Sequence, residues 1–226
     1  MTRLLGLVLT AALAAGTCGC SLWQAAASDE ETEVATPASP RFHAKIGPAP
    51  RKRMSSSWRP GCPVGPDELR LLTLTHWGFD REVHRGELVV HEDHVRELRR
   101  VFRALFETRF PIERMELVDV YGADDDRSMA ANNTSAFNCR TVEGSSSWSE
   151  HAFGRAIDIN PIQNPAVEGS EVSPPGGSRF LDRSRRARGL IRANDRVVRA
   201  FAAIGWGWGG YWTSFKDYQH FSATGR

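Results

Sequence analysis

Apolar residues recur with helical spacing in two stretches of the chain. The first stretch predicts a helix over residues 93–107, with Asp93 as its cap. Its apolar positions share one face: Val95, Leu98, Val101, Phe102 and Leu105. The second predicts a helix capped by Asn194 or Asp195 that runs to Ile204 and stops at Gly205.

Short apolar and β-branched runs predict four strands, at residues 87–90, 115–120, 156–159 and 218–222. Residues 122–138, in contrast, are dense in Asp, Asn and Ser, which predicts a long loop. This mixture of helices and short strands predicts an α+β fold in which helices flank a small antiparallel sheet.

The N-terminus has the pattern of an export signal at residues 1–20. Arg3 precedes an apolar run from Leu4 to Ala15 that is shorter than the roughly 20 residues a transmembrane helix needs. Residues 21–57 are rich in Ala, Ser, Pro and Thr without apolar periodicity and predict a flexible linker. Residues 58–226 are the predicted compact domain of an exported protein.

The cysteines leave two maturation routes open. Gly19-Cys20 resembles the end of a lipobox, which would make Cys20 a lipid anchor in the cell envelope, whereas cleavage after Ala27 would release a secreted protein. Either route leaves Cys62 and Cys139. In an oxidising compartment we expect these two to pair in a disulfide rather than leave Cys139 as a nucleophile.

The net charge bears on which kinds of molecule the protein binds. The 226 residues carry a formal net charge of +2, which gives no basis for nucleic-acid binding. We expect a monomer that contacts a membrane only through the N-terminal anchor.

The chemistry is concentrated in two motifs, SEHAFGRAID at residues 149–158 and DYQHF at 217–221. A hydrolytic metal site needs three N or O ligands and an open position for water, and His151, Asp158 and His220 supply such a set. Asp217, three residues before His220, would face the water as general base. A Ser149–His151–Asp158 triad is the rival interpretation, although no nucleophile-elbow sequence surrounds Ser149.

These paired motifs resemble the LAS-group zinc peptidases, which include VanY-like D-alanyl-D-alanine carboxypeptidases, L-alanyl-D-glutamate endopeptidases and the hedgehog signalling domain. The resemblance covers about residues 88–221. It implies one Zn²⁺ per chain, held by His151, Asp158 and His220, with Asp217 as the base. It also implies hydrolysis of peptide bonds in peptidoglycan stem peptides, at either of the two bonds.

The family also places an arginine upstream of the first ligand to steady the substrate carbonyl or oxyanion. We favour Arg140, with Arg127 as the alternative. We expect Ser149, Ser128 and Trp208 to contact substrate. Trp208 lies in the aromatic segment 206–212, which resembles a Trp-Gly-Gly segment of the endopeptidases and would form core and cleft wall or a carbohydrate platform. The alternative to catalysis is a non-hydrolytic, zinc-containing domain that binds the cell wall.

Overall fold

A computed structural model describes residues 39–226. The predicted signal at residues 1–20, the lipidation candidate Cys20 and residues 21–38 lie outside the described residues. The elements, in chain order, are β1 (Ala44–Pro48), β2 (Leu69–Trp77), β3 (Val83–His91), α1 (Val95–Glu107), β4 (Arg114–Met115), α2 (Asp125–Ala130), β5 (Asn133–Thr134), β6 (Ala156–Asp158), β7 (Ala166–Glu168), β8 (Glu171–Ser173), α3 (Arg196–Ala202), β9 (Gly207–Trp208), β10 (Lys216–Asp217) and β11 (His220–Ser222).

The longest strands form an antiparallel sheet in the order β1-β2-β3, which we call the hairpin sheet. β2 and β3 pair along their full length, from Leu69 opposite His91 to Trp77 opposite Val83. Apolar side chains of both strands, such as Leu72 and Val90, are fully buried in the core.

The hairpin sheet corrects the predicted linker at residues 21–57. β1 pairs with β2 from Ala44 opposite Leu74 to Pro48 opposite Arg70, and Met54, a few residues later, is only 1% exposed. β1 is held by backbone hydrogen bonds to a neighbouring strand, which require no apolar periodicity of its own. The prediction of a linker is therefore wrong over residues 44–57.

Both predicted long helices form. The predicted apolar face of α1 is buried, and α1 packs on β2 and α3. Asp93 does not cap it: a 3₁₀ turn, Glu92–His94, precedes the helix, and the His91 ring accepts a hydrogen bond from the Asp93 amide. At α3 the carboxylate of Asp195 accepts hydrogen bonds from the amides of Val197 and Val198, so Asp195 is the cap.

The segment between α1 and the first motif differs most from prediction. In place of a strand at 115–120, the two-residue β4 is followed by a 3₁₀ turn at Val118–Tyr121. The predicted loop at 122–138 contains α2 and β5. Asp124 accepts a hydrogen bond from the Arg127 amide, so acidic residues that suggested a loop in fact begin a helix.

The second half of the chain is built from short strands, in two three-stranded sheets ordered β10-β7-β8 and β6-β11-β9. With the helices these sheets confirm the α+β fold. Cys62 and Cys139 form a disulfide, their Cα atoms 5.9 Å apart, beside a small apolar cluster that includes Met54 and Phe137. Within residues 39–226, no helix has the length and apolar character needed to cross a membrane.

Candidate metal centre

Two adjacent strands and one turn bring the three predicted ligands together. β6 and β11 are antiparallel, and their register places Asp158 directly opposite His220. His151 lies in a 3₁₀ turn, Glu150–Phe153, and its amide donates to the Ser149 hydroxyl, which caps the turn. Gly154 ends this turn with a φ of 66°, and the chain then enters β6.

The ligand atoms converge at a single point. His151 Nε2 lies 3.1 Å from Asp158 Oδ2, His220 Nδ1 lies 3.1 Å from Asp158 Oδ1, and the two ring nitrogens are 3.3 Å apart. Bonds of about 2.0–2.1 Å to a tetrahedral ion would place ligand atoms about 3.3 Å from one another. The three side chains are buried, at 3%, 6% and 7% exposure for His151, Asp158 and His220. The spacing therefore fits a metal ion.

Backbone carbonyls fix the orientation of both imidazoles. The Nδ1–H of His151 donates to the carbonyl of Ala136, and the Nε2–H of His220 donates to the carbonyl of Arg226 at 2.9 Å. Because a carbonyl can only accept, the other nitrogen of each neutral ring carries a lone pair. Two lone pairs and a carboxylate thus face one another, an arrangement that only a positive charge between them can stabilise.

The pKa values of the site follow from the same charge pattern. Burial raises the pKa of Asp158, but the adjacent His151 and His220 outweigh it and hold that pKa well below its usual range. Burial lowers the pKa of His220, whereas its hydrogen bond to Asp158 and the charges of Asp158 and Asp217 raise it, to about 9 overall. A proton consequently occupies the metal-free centre at neutral pH, and a metal ion would replace it.

Asp217 is the fourth ionisable group of the centre. It lies in β10, opposite Ala166 of β7, and its Oδ1 is buried without a hydrogen-bond partner among residues 39–226. Burial and the charge of Asp158 raise the pKa of Asp217 to about 6. Gly209 must be a glycine here, since a Cβ would lie 2.5 Å from the Asp217 carbonyl oxygen. The charges of Asp158, His220 and His151 all act on this carboxylate, and Oδ1 makes no hydrogen bond within residues 39–226.

The two candidate arginines have different surroundings. Arg127 is exposed on α2. Arg140 is half-buried and pairs with Asp125, and its Nε is buried without an acceptor in the described part of the chain. Its backbone carbonyl accepts from the Ser149 amide, which ties Arg140 to the turn that carries His151.

Residues 143–223 match the family model of the D-alanyl-D-alanine carboxypeptidases. The matched stretch covers a little over a third of the chain and contains the three ligand residues and Asp217. It supports a peptidase of that family. No curated protein and no solved structure matches the chain. Arg127, Ser128 and Arg140 precede the matched stretch, so the choice between the arginines depends on geometry alone.

The three residues predicted to contact substrate all make structural contacts within the chain. Ser128 is 1% exposed, and its hydroxyl accepts a hydrogen bond from Asn133. Ser149 caps the His151 turn through the His151 amide. Trp208 is buried in the main core and donates from Nε1 to the Tyr218 carbonyl. Ser128 and Trp208 are buried by other parts of the chain, and substrate contact stays a prediction for all three residues. The arrangement does not favour the serine triad: the Ser149 hydroxyl accepts from the His151 amide, and the His151 ring contacts the Ala136 carbonyl, Asp158 and His220.

Trp212 is the aromatic residue that lies against the centre, and the sequence does not single it out. Its ring centroid is 5.3 Å from that of His220, and Phe215 packs on it at 4.9 Å. The 3₁₀ turn Gly209–Tyr211 separates Trp208 from Trp212 and sends one into the core and the other towards the ligand. The only signal in the sequence is the density of aromatic residues in the segment, which does not distinguish its members.

Proposed function

We propose that the protein is an exported zinc peptidase that hydrolyses peptide bonds in peptidoglycan stem peptides. The observation that carries the proposal is the convergence of two oriented imidazoles and a buried carboxylate, together with Asp217, whose buried Oδ1 has no hydrogen-bond partner among residues 39–226. The match to D-alanyl-D-alanine carboxypeptidases supports this reaction class.

His151, Asp158 and His220 would hold the zinc ion. Two neutral imidazoles and one carboxylate would leave it a net positive charge. When bound, zinc acts as a Lewis acid that polarises the scissile carbonyl and lowers the pKa of water.

Asp217 serves as general base and then as general acid. Its pKa of about 6 means that it is ionised at neutral pH yet still a usable proton acceptor. It takes a proton from the attacking water and delivers that proton to the leaving amine when the C–N bond breaks. No group in the described part of the chain hydrogen-bonds to Oδ1, which supports its role as the acceptor for the water proton.

Arg140 is the group that we assign to the developing negative charge on the carbonyl oxygen. Its guanidinium is fixed by Asp125, and its backbone is tied to the His151 turn, so the side chain is held in place before substrate arrives. The exposed Arg127 lacks this support.

The decisive test is digestion of purified peptidoglycan and of a synthetic stem pentapeptide, with the products identified by mass spectrometry. Release of D-alanine would assign a carboxypeptidase, and a cut between L-alanine and D-glutamate would assign an endopeptidase. Wild type is compared with Asp217→Asn and with a chelated sample, and His84→Gln serves as a control because His84 is exposed and pairs with Asp80. If metal-loaded wild type cleaves neither substrate, the peptidase proposal is wrong, and zinc-dependent binding to the wall would instead support the non-hydrolytic alternative.

A further inference from the structure

The last residues of the chain fold back against the metal centre. Beyond β11, the Ala223 amide donates to the Arg155 carbonyl, and the Gly225 amide donates to the Ser222 carbonyl. Gly225 has a φ of 75°, which directs the chain towards His220. We call residues 223–226 the terminal turn.

The backbone oxygen of Arg226 is shared by two buried donors. It accepts from His220 Nε2 at 2.9 Å and from the Ser222 hydroxyl at 2.6 Å. One oxygen thus receives two hydrogen bonds, one of them from the imidazole. Because Ser222 is fully buried in β11, its hydroxyl holds the acceptor at a fixed position relative to the ligand strand.

Two further contacts hold the terminal turn in place. Trp212 donates from Nε1 to the Gly225 carbonyl at 2.7 Å. Gly207 of β9 lies so close that a Cβ there would approach the Gly225 Cα to 2.5 Å. The turn is therefore packed against β9 and the wall of the site, and its position is tied to both.

The two imidazoles of the centre thus depend on different parts of the chain. The acceptor for His151 is the Ala136 carbonyl, in an interior segment that is also paired to β6 through Ser135 and Asp158. The acceptor for His220 belongs to the terminal turn. A ligand histidine without its outer acceptor loses its fixed tautomer and orientation.

We propose that the terminal turn supports the metal centre: the Arg226 backbone oxygen holds the His220 imidazole in position and thereby sets metal affinity. The inference rests on the proposed metal centre. Arg226 acts through its backbone, so it is a positioning residue whose side chain is not required.

The test measures metal affinity in the purified full chain, not only activity. Deletion of Gly225 and Arg226 removes the acceptor and is expected to weaken zinc binding about 10–100-fold in competition with a chromophoric chelator. The matched control is Thr224→Ala, which alters an exposed side chain in the same turn and is expected to leave zinc affinity unchanged. Cobalt(II) absorption of the deletion variant should also change, because the orientation of one imidazole changes.

Two substitutions separate the backbone role from damage to the fold. Arg226→Ala keeps the carbonyl and lacks the guanidinium, so it should recover the affinity lost in the deletion. Gly207→Ala should weaken zinc binding without removing any residue, since its Cβ displaces the turn. Circular dichroism of the metal-free proteins monitors folding.

The possible outcomes are distinguishable. Equal zinc affinity and an equal cobalt spectrum in wild type and the folded deletion variant would overturn this inference alone. If the deletion variant does not fold, unchanged affinity in Gly207→Ala overturns it. Loss of affinity in Arg226→Ala would assign the effect to the guanidinium and also overturn it. Absence of tight zinc binding by wild type would instead contradict the metal centre itself.

Discussion

The hairpin sheet and the metal centre use opposite means to hold their strands. β2 and β3 pair through nine consecutive positions, so their geometry is maintained by a regular ladder of backbone hydrogen bonds. β6 and β11 pair through three positions, and β11 pairs with β9 through two. Short ladders cannot fix a structure alone, so buried side chains must supply the rest.

Asn164 shows how this is done. It is fully buried, donates to the carbonyls of Ile159 and Gly189, and accepts from the Ile191 amide and from Arg183. The hydrogen bonds of this one amide side chain thus take the place of several backbone hydrogen bonds between strands, and they connect the loops that follow β6. The comparison teaches that the site depends on individual residues, whereas the hairpin sheet depends on a repeated backbone pattern.

Removal of a metal-ligating side chain should produce the largest difference between the metal centre and the hairpin sheet. Asp158→Ala leaves two imidazoles without a carboxylate, so we expect no tight metal binding and no detectable hydrolysis. Amide hydrogen exchange should accelerate in β6 and β11 while β2 and β3 remain protected. Asp80→Ala, which removes an exposed carboxylate, is the control. Equal acceleration in the hairpin sheet would contradict the independence of the two regions.

Asp217→Asn should abolish hydrolysis but leave zinc binding intact. Loss of a general base typically costs about 10²–10⁴-fold in kcat, and the three ligands remain in place. Steady-state kinetics and the zinc content of the purified variant test this directly. A variant that loses zinc together with activity would show that Asp217 is a structural member of the ligand set.

Arg140→Lys tests the proposed role of Arg140 in stabilising the negative charge on the carbonyl oxygen. If Arg140 donates to the oxyanion, its replacement should lower kcat by about 10²–10³-fold, with KM less affected. Arg127→Gln is the matched control, since Arg127 is exposed on the neighbouring helix. The reverse result, a large loss only for Arg127→Gln, would reassign the role.

We expect activity to fall at low pH, because Asp217 must be ionised to act as the base. Burial and Asp158 raise the pKa of Asp217 from 3.8 to about 6, so protonation removes the base as pH falls through that value. A bound cation shifts the same titration downward. We expect kcat/KM to fall about tenfold per pH unit on the acid side of a midpoint at or below about 6, and Asp217→Asn should lack this limb. A wild-type acid limb that persists in Asp217→Asn would assign the titration to another group.

The smallest expected effect is on stability. Asn164→Ala leaves several buried backbone groups unpaired, each with a penalty of about 1–3 kcal/mol, so denaturant unfolding should shift measurably. The metal-free variant should lose protection first in the loops after β6. Stability equal to wild type would show that the side-chain network does not replace the missing ladder.

The sequence predicts those parts of the fold whose signal is local. The predicted face of α1 is correct, and one of the two predicted caps of α3, Asp195, is the cap, because periodicity and capping depend on neighbouring residues. The predicted ligands converge because two compact motifs happen to fold onto adjacent strands.

Features that depend on distant residues are missed. β1 is held by β2, whose first residue lies about twenty positions further along the chain, so its own composition resembles a linker. The segment with Trp208 and Trp212 contains aromatic residues at both positions, and only the tertiary fold decides which of them faces His220. The backbone oxygens that orient the two imidazoles cannot be predicted from residue type, because every residue has one.

Gly154 has a consequence for how this protein can diverge during evolution. Its carbonyl accepts from the His91 amide at 2.8 Å, and a Cβ would lie 2.7 Å from that same nitrogen. The position therefore admits no side chain, and it joins the hairpin sheet to the turn between two ligands. A lineage that replaced this glycine would have to move β3 away from the His151 turn, so viable sequence changes are confined to other positions.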